Sequence, residues 1–355
     1  MTQKLTRLLS FKNIVRLALA CLIIFGACQA FLPHKKDIMP VVLLINRYPM
    51  TPEDKQFLKN INPYGFLLSI PIHPGLKLPD LKKELEEVLG RKDFLFFIDQ
   101  EGGAVNRIRH FVDGFDAPAP ETFGKLAEKN FDEAVRQAYE YGVRTGKTLK
   151  DLTIDVVFAP LAEPSAGPKT HRKSRYFSQN PETAKALADA FAKGLDDGGV
   201  TPCYKHFPGA PTETDPHQTQ QEITDSLDTL RARGVKPFEE AARWNCLMTA
   251  LAVYPAVDKD TTSIFSPAFY RFLRKEIPYQ GLIIPDALNM EAAEGADITT
   301  IGARMNKALE AGADVVMPFF PFSSSPQWME EQLRQIRTPQ IKRFQKKVHL
   351  LKRRN

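Results

Sequence analysis

The chain has 355 residues, 43% of them hydrophobic, and a formal net charge of +6; that length buries a sizeable core as one large domain or two smaller ones. The charge is uneven: residues 1–36 carry six of the 48 Lys/Arg and residues 341–355 carry seven, with no acid in either segment, so the remaining 35 bases face 42 acids and the body stands at about −7. That excludes a nucleic-acid footprint, and the four cysteines, at 21, 28, 203 and 246, show neither a paired framework nor a zinc spacing, so neither a disulfide nor a metal is expected.

In chain order, Lys4, Arg7, Lys12 and Arg16 precede an apolar run over 17–27 that ends at Cys28. A basic start followed by a short apolar run is the layout of an export signal, and the run falls short of the roughly 20 apolar residues that a membrane span needs. Gly26-Ala27-Cys28 is similar to a bacterial lipoprotein box, apart from Phe25 at the third position before the cysteine. Lipoprotein, plain export and uncleaved anchor stay open. The expected location is exported and membrane-associated through the N-terminus.

From residue 38 onward, apolar runs rich in Val, Ile, Leu and Phe alternate with amphipathic stretches. The runs at 38–46, 64–70, 93–99, 154–160, 200–206, 245–253, 281–285 and 313–318 are the predicted strands, apolar on both faces as in a parallel sheet covered by helices. Helical patterns fall at 78–89, 132–149, 181–195, 235–243, 267–276 and 298–311, with Pro181 and Pro267 suited to first helical turns. Eight strands alternating with helices predict an α/β chain folded as a single-domain (β/α)8 TIM barrel, with a doubly wound open sheet as the runner-up. No repeat or low-complexity linker divides the body, so the organisation reads as an address or anchor segment over 1–36, a catalytic barrel over 37–340 and a basic tail or last helix over 341–355. In that tail Phe344, Val348, Leu350 and Leu351 lie between the charges; a solvated last helix is the preferred reading over a membrane-surface contact.

A barrel places its site at the C-terminal ends of its strands. Polar residues recur there: Phe97-Ile-Asp-Gln-Glu-Gly-Gly103 after the third strand, Thr170-His-Arg-Lys-Ser-Arg-Tyr-Phe177 after the fourth, and Ile284-Pro-Asp-Ala-Leu-Asn-Met290 after the seventh. The stretch over 201–217 carries Lys205, His206, Glu213, Asp215 and His217, stiffened by Pro208, Pro211 and Pro216, which fix φ and remove backbone donors. Each strand-end aspartate alone has a bland reading as a turn brace. Four such ends on one face point instead to a site.

The motifs Asp99-Gln-Glu-Gly-Gly-Ala-Val-Asn-Arg107, Arg175-Tyr-Phe, Lys205-His-Phe-Pro-Gly209, Asp215-Pro-His217 and Pro285-Asp-Ala-Leu-Asn-Met290 together resemble glycoside hydrolase family 3, in particular its bacterial single-domain β-N-acetylglucosaminidases. The resemblance extends over roughly 38–320. It implies a retaining glycosidase acting on a carbohydrate partner with terminal β-linked N-acetylglucosamine, as in peptidoglycan fragments or chitin-like oligosaccharides, with no cofactor and no metal. It makes Asp286 the nucleophile, His217 the general acid/base and Asp215 its partner, and it assigns Asp99, Arg107, Arg175, Lys205 and His206 to the grip on the sugar. A monomer is expected. Such a reaction needs one carboxylate to attack the anomeric carbon and a second group to protonate the leaving oxygen; imidazole titrates near neutrality and suits the second role when an aspartate orients it. The chain departs from the family pattern Lys-His-Phe-Pro-Gly-His-Gly at Ala210-Pro211, its loop to His217 is one residue shorter, Leu251 replaces a common histidine, and Pro285 replaces the usual Ser or Thr before the nucleophile.

Overall fold

A computed structural model describes residues 37–350, apart from 46, 69–74, 212, 214–218, 290–299 and 322. The address segment therefore lies outside the described residues. Strands β1 (Met39–Leu44), β2 (Pro63–Leu67), β3 (Leu95–Ile98), β4 (Val156–Val157) and β5 (Thr201–Pro202) form one sheet in that order. Its four pairings are all parallel. Strands β6 (Tyr204–Phe207), β7 (Cys246–Thr249) and β8 (Leu282–Pro285) form a second parallel sheet. The predicted fifth strand is thus broken at Cys203, whose amide donates to the carbonyls of Val157 and Ala159. Pro202 and Pro160 supply no N–H to a ladder, which interrupts pairing there. At the opposite edge, Val42 N–H donates to Val316 O (3.0 Å), Val316 N–H to Pro40 O (2.9 Å), and Asp314 N–H to Ile283 O (2.9 Å). The run predicted as a strand over 313–318 therefore lies between β8 and β1, joined to β1 by a single parallel bridge, Val41 to Val316.

The helices are α1 (Pro52–Ile61), α2 (Leu78–Leu89), α3 (Pro120–Ala127), α4 (Phe131–Asp151), α5 (Pro181–Asp197), α6 (Pro267–Glu276), α7 (Ile301–Ala311), α8 (Pro326–Leu333) and α9 (Thr338–Gln345). Capping sets where several begin: Asn180 Oδ1 accepts the Glu182 and Thr183 amides ahead of α5, and Ser266 Oγ accepts the Phe269 amide ahead of α6. The helix predicted over 235–243 is instead a π turn at Leu230–Val235 running into 3-10 turns at Lys236–Arg243. Pro237 has no N–H for an α-helical bond, and its ring crowds the preceding turn. Helices α4 and α5 approach through glycines, since a Cβ at Gly194 would lie 2.2 Å from Tyr139 O.

Strand residues divide by the two-residue period into two cores. Val41, Leu43, Phe96, Ile98, Leu247 and Ile283 face the helices. Val42, Leu67, Leu95, Phe97, Val156, Met248, Leu282, Ile284, Val315 and Met317 form a separate inner cluster. This double burial is why the runs are apolar at every position. The inner cluster also corrects the expectation of no disulfide: Cys203 and Cys246, both fully buried, are bonded with an S–S distance of 2.06 Å. Tyr204 pairs with Leu247, so the parallel register sets the preceding residues side by side across a separation of 43 residues.

The C-terminal segment packs under the strand starts. Phe344 enters the inner cluster edge-on to Tyr64 at 4.9 Å. Arg343 donates to Leu309 O and Ala313 O, Gln345 donates to Ile38 O at 2.7 Å, and Asn245 donates to Leu350 O at 3.3 Å. The boundary expected at 340 falls inside α9. Asp314, 3% exposed, accepts Arg274 Nη2 at 3.1 Å, Lys347 Nζ at 2.9 Å and the Ile283 amide at 3.0 Å.

Candidate active site

The ends of β3, β4, β6 and β8 bring charged groups together opposite that packed end. Lys205 lies within β6 and is buried, with its Nζ 2.7 Å from Asp99 Oδ1 and 2.6 Å from Glu101 Oε1. Arg175 reaches in from the loop after β4 and grips Glu101 in the two-pronged guanidinium geometry, Nε to Oε2 and Nη2 to Oε1 both at 2.8 Å. Burial opposes ionisation of Glu101, yet Arg175 and Lys205 outweigh it and hold the carboxyl well below the usual range. Burial likewise works against the charge on Lys205, but Asp99 and Glu101 raise its pKa above the ordinary lysine value. The three charges are mutually paired, with Glu101 and Lys205 buried and Arg175 partly exposed.

Beside them, His206 points one nitrogen each way. Its Nδ1 is 2.9 Å from Glu163 Oε1 and its Nε2 is 3.5 Å from Asp286 Oδ2. Asp286 follows β8, its amide donates to Thr249 O at 3.0 Å, and its Oδ1 accepts the Ala287 amide at 2.7 Å. Asp99 and Asp286 keep 25% and 27% of their side chains exposed, against 0% for Glu101. The paired charges thus form a buried floor, and two carboxylates remain open above it.

Of the residues singled out from sequence, Asp99, Arg175, Lys205, His206 and Asp286 are brought into one cluster. Arg107 stands apart from those contacts: its amide donates to Gln100 Oε1 at 2.7 Å, while its Nε is buried with no hydrogen-bond partner among the described residues. Asp215 and His217 lie outside the described residues. Two carboxylates were missed. Glu101 lies inside the Asp99–Arg107 motif, and the only sequence signal for Glu163 is that it closes the apolar stretch Val156-Val-Phe-Ala-Pro-Leu-Ala162. Among the described residues no group of three or more His, Cys, Asp or Glu is arranged to hold a metal ion.

Residues 79–351 match the family described as Glycosyl hydrolase family 3 N terminal domain. A relative named Beta-hexosaminidase from Neisseria meningitidis is 32% identical over 284 residues, covering 78% of this chain and 77% of its own. The crystal structure of NagZ from Neisseria gonorrhoeae in complex with N-trifluoroacetyl-D-glucosamine is similar at a TM-score of 0.69 and 27% identity, over 90% of this chain and 99% of that one. A glycoside hydrolase family 3 β-N-acetylglucosaminidase from Paenibacillus sp. str. FPU-7 has the same fold at a TM-score of 0.77 and 24% identity; the match covers 90% of this chain and 61% of that longer one.

Proposed function

The chain belongs to glycosyl hydrolase family 3 and is a glycoside hydrolase; from that premise we propose that it is a retaining exo-β-N-acetylglucosaminidase. Its substrate is terminal β-linked N-acetylglucosamine on peptidoglycan-derived or chitin-like oligosaccharides. The observation that carries this reading is the open Asp286 carboxylate, with one oxygen held by the Ala287 amide and the other facing His206 beside the Asp99–Lys205 pair. A carboxylate fixed on one oxygen is oriented to attack with the other.

In this mechanism Asp286 attacks the anomeric carbon and forms a covalent glycosyl ester, while His217, oriented by Asp215, protonates the departing oxygen. His217 then takes a proton from the water that cleaves the ester. Asp99 accepts from sugar hydroxyls, and Lys205, His206, Arg175 and Arg107 supply donors around them. In the same reading the two parallel sheets are halves of one (β/α)8 barrel, meeting through Cys203 on one side and through 313–318 on the other. The protein is exported and held at a membrane through residues 1–36, which fractionation of the native protein tests.

The decisive experiment is turnover of an aryl β-N-acetylglucosaminide together with a mechanism-based glycosyl label. Release of the aryl group and labelling of Asp286 support the proposal. No turnover, or a label on another carboxylate, sinks it.

A further inference from the structure

Glu163 is 3% exposed and stands just past β4, yet none of the roles above uses it. Its Oε1 lies 2.9 Å from His206 Nδ1 and its Oε2 accepts the Ala210 amide at 2.6 Å. Buried carboxylate oxygens are satisfied by donors, and with one oxygen taken by a backbone N–H, the other calls for an N–H on His206. The ring then bears a proton on Nδ1 and turns Nε2 toward Asp286, because the partner of one imidazole nitrogen sets the role of the other.

The second oxygen acts on the backbone. Gly209 sits at φ 93°, its amide donates to His206 O at 2.6 Å, and its carbonyl accepts Tyr254 OH at 3.0 Å. A Cβ at Gly209 would stand 3.2 Å from the Glu163 Cβ, so this turn is folded directly against the glutamate. Ala210, where the family pattern has a histidine, contributes its amide to Glu163.

We infer that Glu163 is a positioning residue for the hydrolysis: it fixes which nitrogen of His206 faces the nucleophile and pins the Gly209-Ala210 turn. The inference rests on the hydrolase reading for its consequence, but its geometric content is independent of turnover. A residue of this kind acts through His206, so its removal damages rate more than binding.

The test has two arms on the full chain. In the substrate-free parent, labelled with 15N-histidine and assigned with His206→Ala, the expected long-range 15N–1H pattern has a proton on Nδ1. A bare Nδ1 with the proton on Nε2 alone overturns the proposal, and this arm needs no variant of Glu163 to fold. In the kinetic arm, Glu163→Gln replaces one of the two accepting oxygens by an NH2 group, which faces either the ring N–H or the Ala210 amide donor to donor. It is expected to lower kcat about 10- to 100-fold with KM within about 3-fold, the size of losing a partner that orients a working histidine. Glu163→Asp should recover part of that loss. Added to His206→Ala, Glu163→Gln should cost less than about 2-fold more, because the two act as one unit. A fully additive double variant, or a Glu163→Gln enzyme within about 2-fold of the parent, overturns the proposal. If the parent hydrolyses no aryl glycoside, the functional reading fails while the nitrogen signals still decide the placement of Glu163.

Discussion

Opposite ends of the same strands carry the same chemistry to different outcomes. At the strand starts, Asp314 is buried with Arg274 and the Ile283 amide on one oxygen and Lys347 on the other. At the strand ends, Lys205 is held between Asp99 and Glu101, and Arg175 covers Glu101. The first cluster closes on itself. The second leaves Asp99 and Asp286 about a quarter exposed, at 25% and 27%. Buried charge therefore does not distinguish a site from a brace; the acceptors left over do. In barrel enzymes the first kind of end serves stability and the second serves chemistry.

The comparison breaks most visibly at Asp286. Asp286→Ala should reduce hydrolysis of an aryl β-N-acetylglucosaminide on the order of 10⁴-fold, the scale of losing a nucleophile, while the thermal midpoint stays within a few degrees. Residual activity near that of the parent would place the nucleophile elsewhere. His217→Ala comes next: sugar–sugar cleavage should fall roughly 10²- to 10⁴-fold for want of an acid. An activated aryl substrate should still give an initial burst, and azide should restore its turnover. Equal loss on both substrates, with no burst, would leave His217 a binding role and pass the proton to a group such as Glu213.

Glu101→Gln probes the buried floor. It leaves Lys205 and Arg175 with a neutral partner, and breaking such a pair costs about 3–5 kcal/mol, read from urea unfolding at pH 7. The sign of the pH effect follows from the depressed carboxyl of Glu101. Its ion pairs stabilise the fold above the unfolded glutamate value of about 4.3 and lose that contribution as pH falls further into the acid range. The gap between parent and variant should therefore narrow between pH 5 and pH 3, in buffers at roughly those values; a constant gap would mean that Glu101 contributes by shape alone. The smallest effect belongs to the closed end. Lys347→Ala removes one of three partners of Asp314 and should cost about 1 kcal/mol with kcat and KM unchanged. A loss of turnover there would erase the distinction between the two ends.

Much of the layered fold was legible because the strands are apolar on both faces and helix starts carry their own chemistry: α2 and α6 have the expected bounds. What escaped depends on partners distant in sequence. The Cys203–Cys246 bond comes from the register of two parallel strands, which no spacing rule encodes. The two-pronged grip of Arg175 on Glu101 joins residues 74 apart in the chain, which the motifs around each do not encode. Glu163 looked like any acid after a strand until His206 was found against it. The distorted turns over 230–243 carried a visible cause in Pro237, which the helical pattern of apolar residues masked.

The contact between Gln345 and Ile38, with Leu350 against Asn245, gives the molecule a handle. The first and last described stretches of backbone both lie at the strand starts, across the full length of the strands from Asp286. A tag or a coupling placed at Ile38 or at Leu350 would leave from that side. Held at either of these two residues, the body has its open carboxylates at the far end of the strands, so long polymers attached to a second surface stay within reach of them.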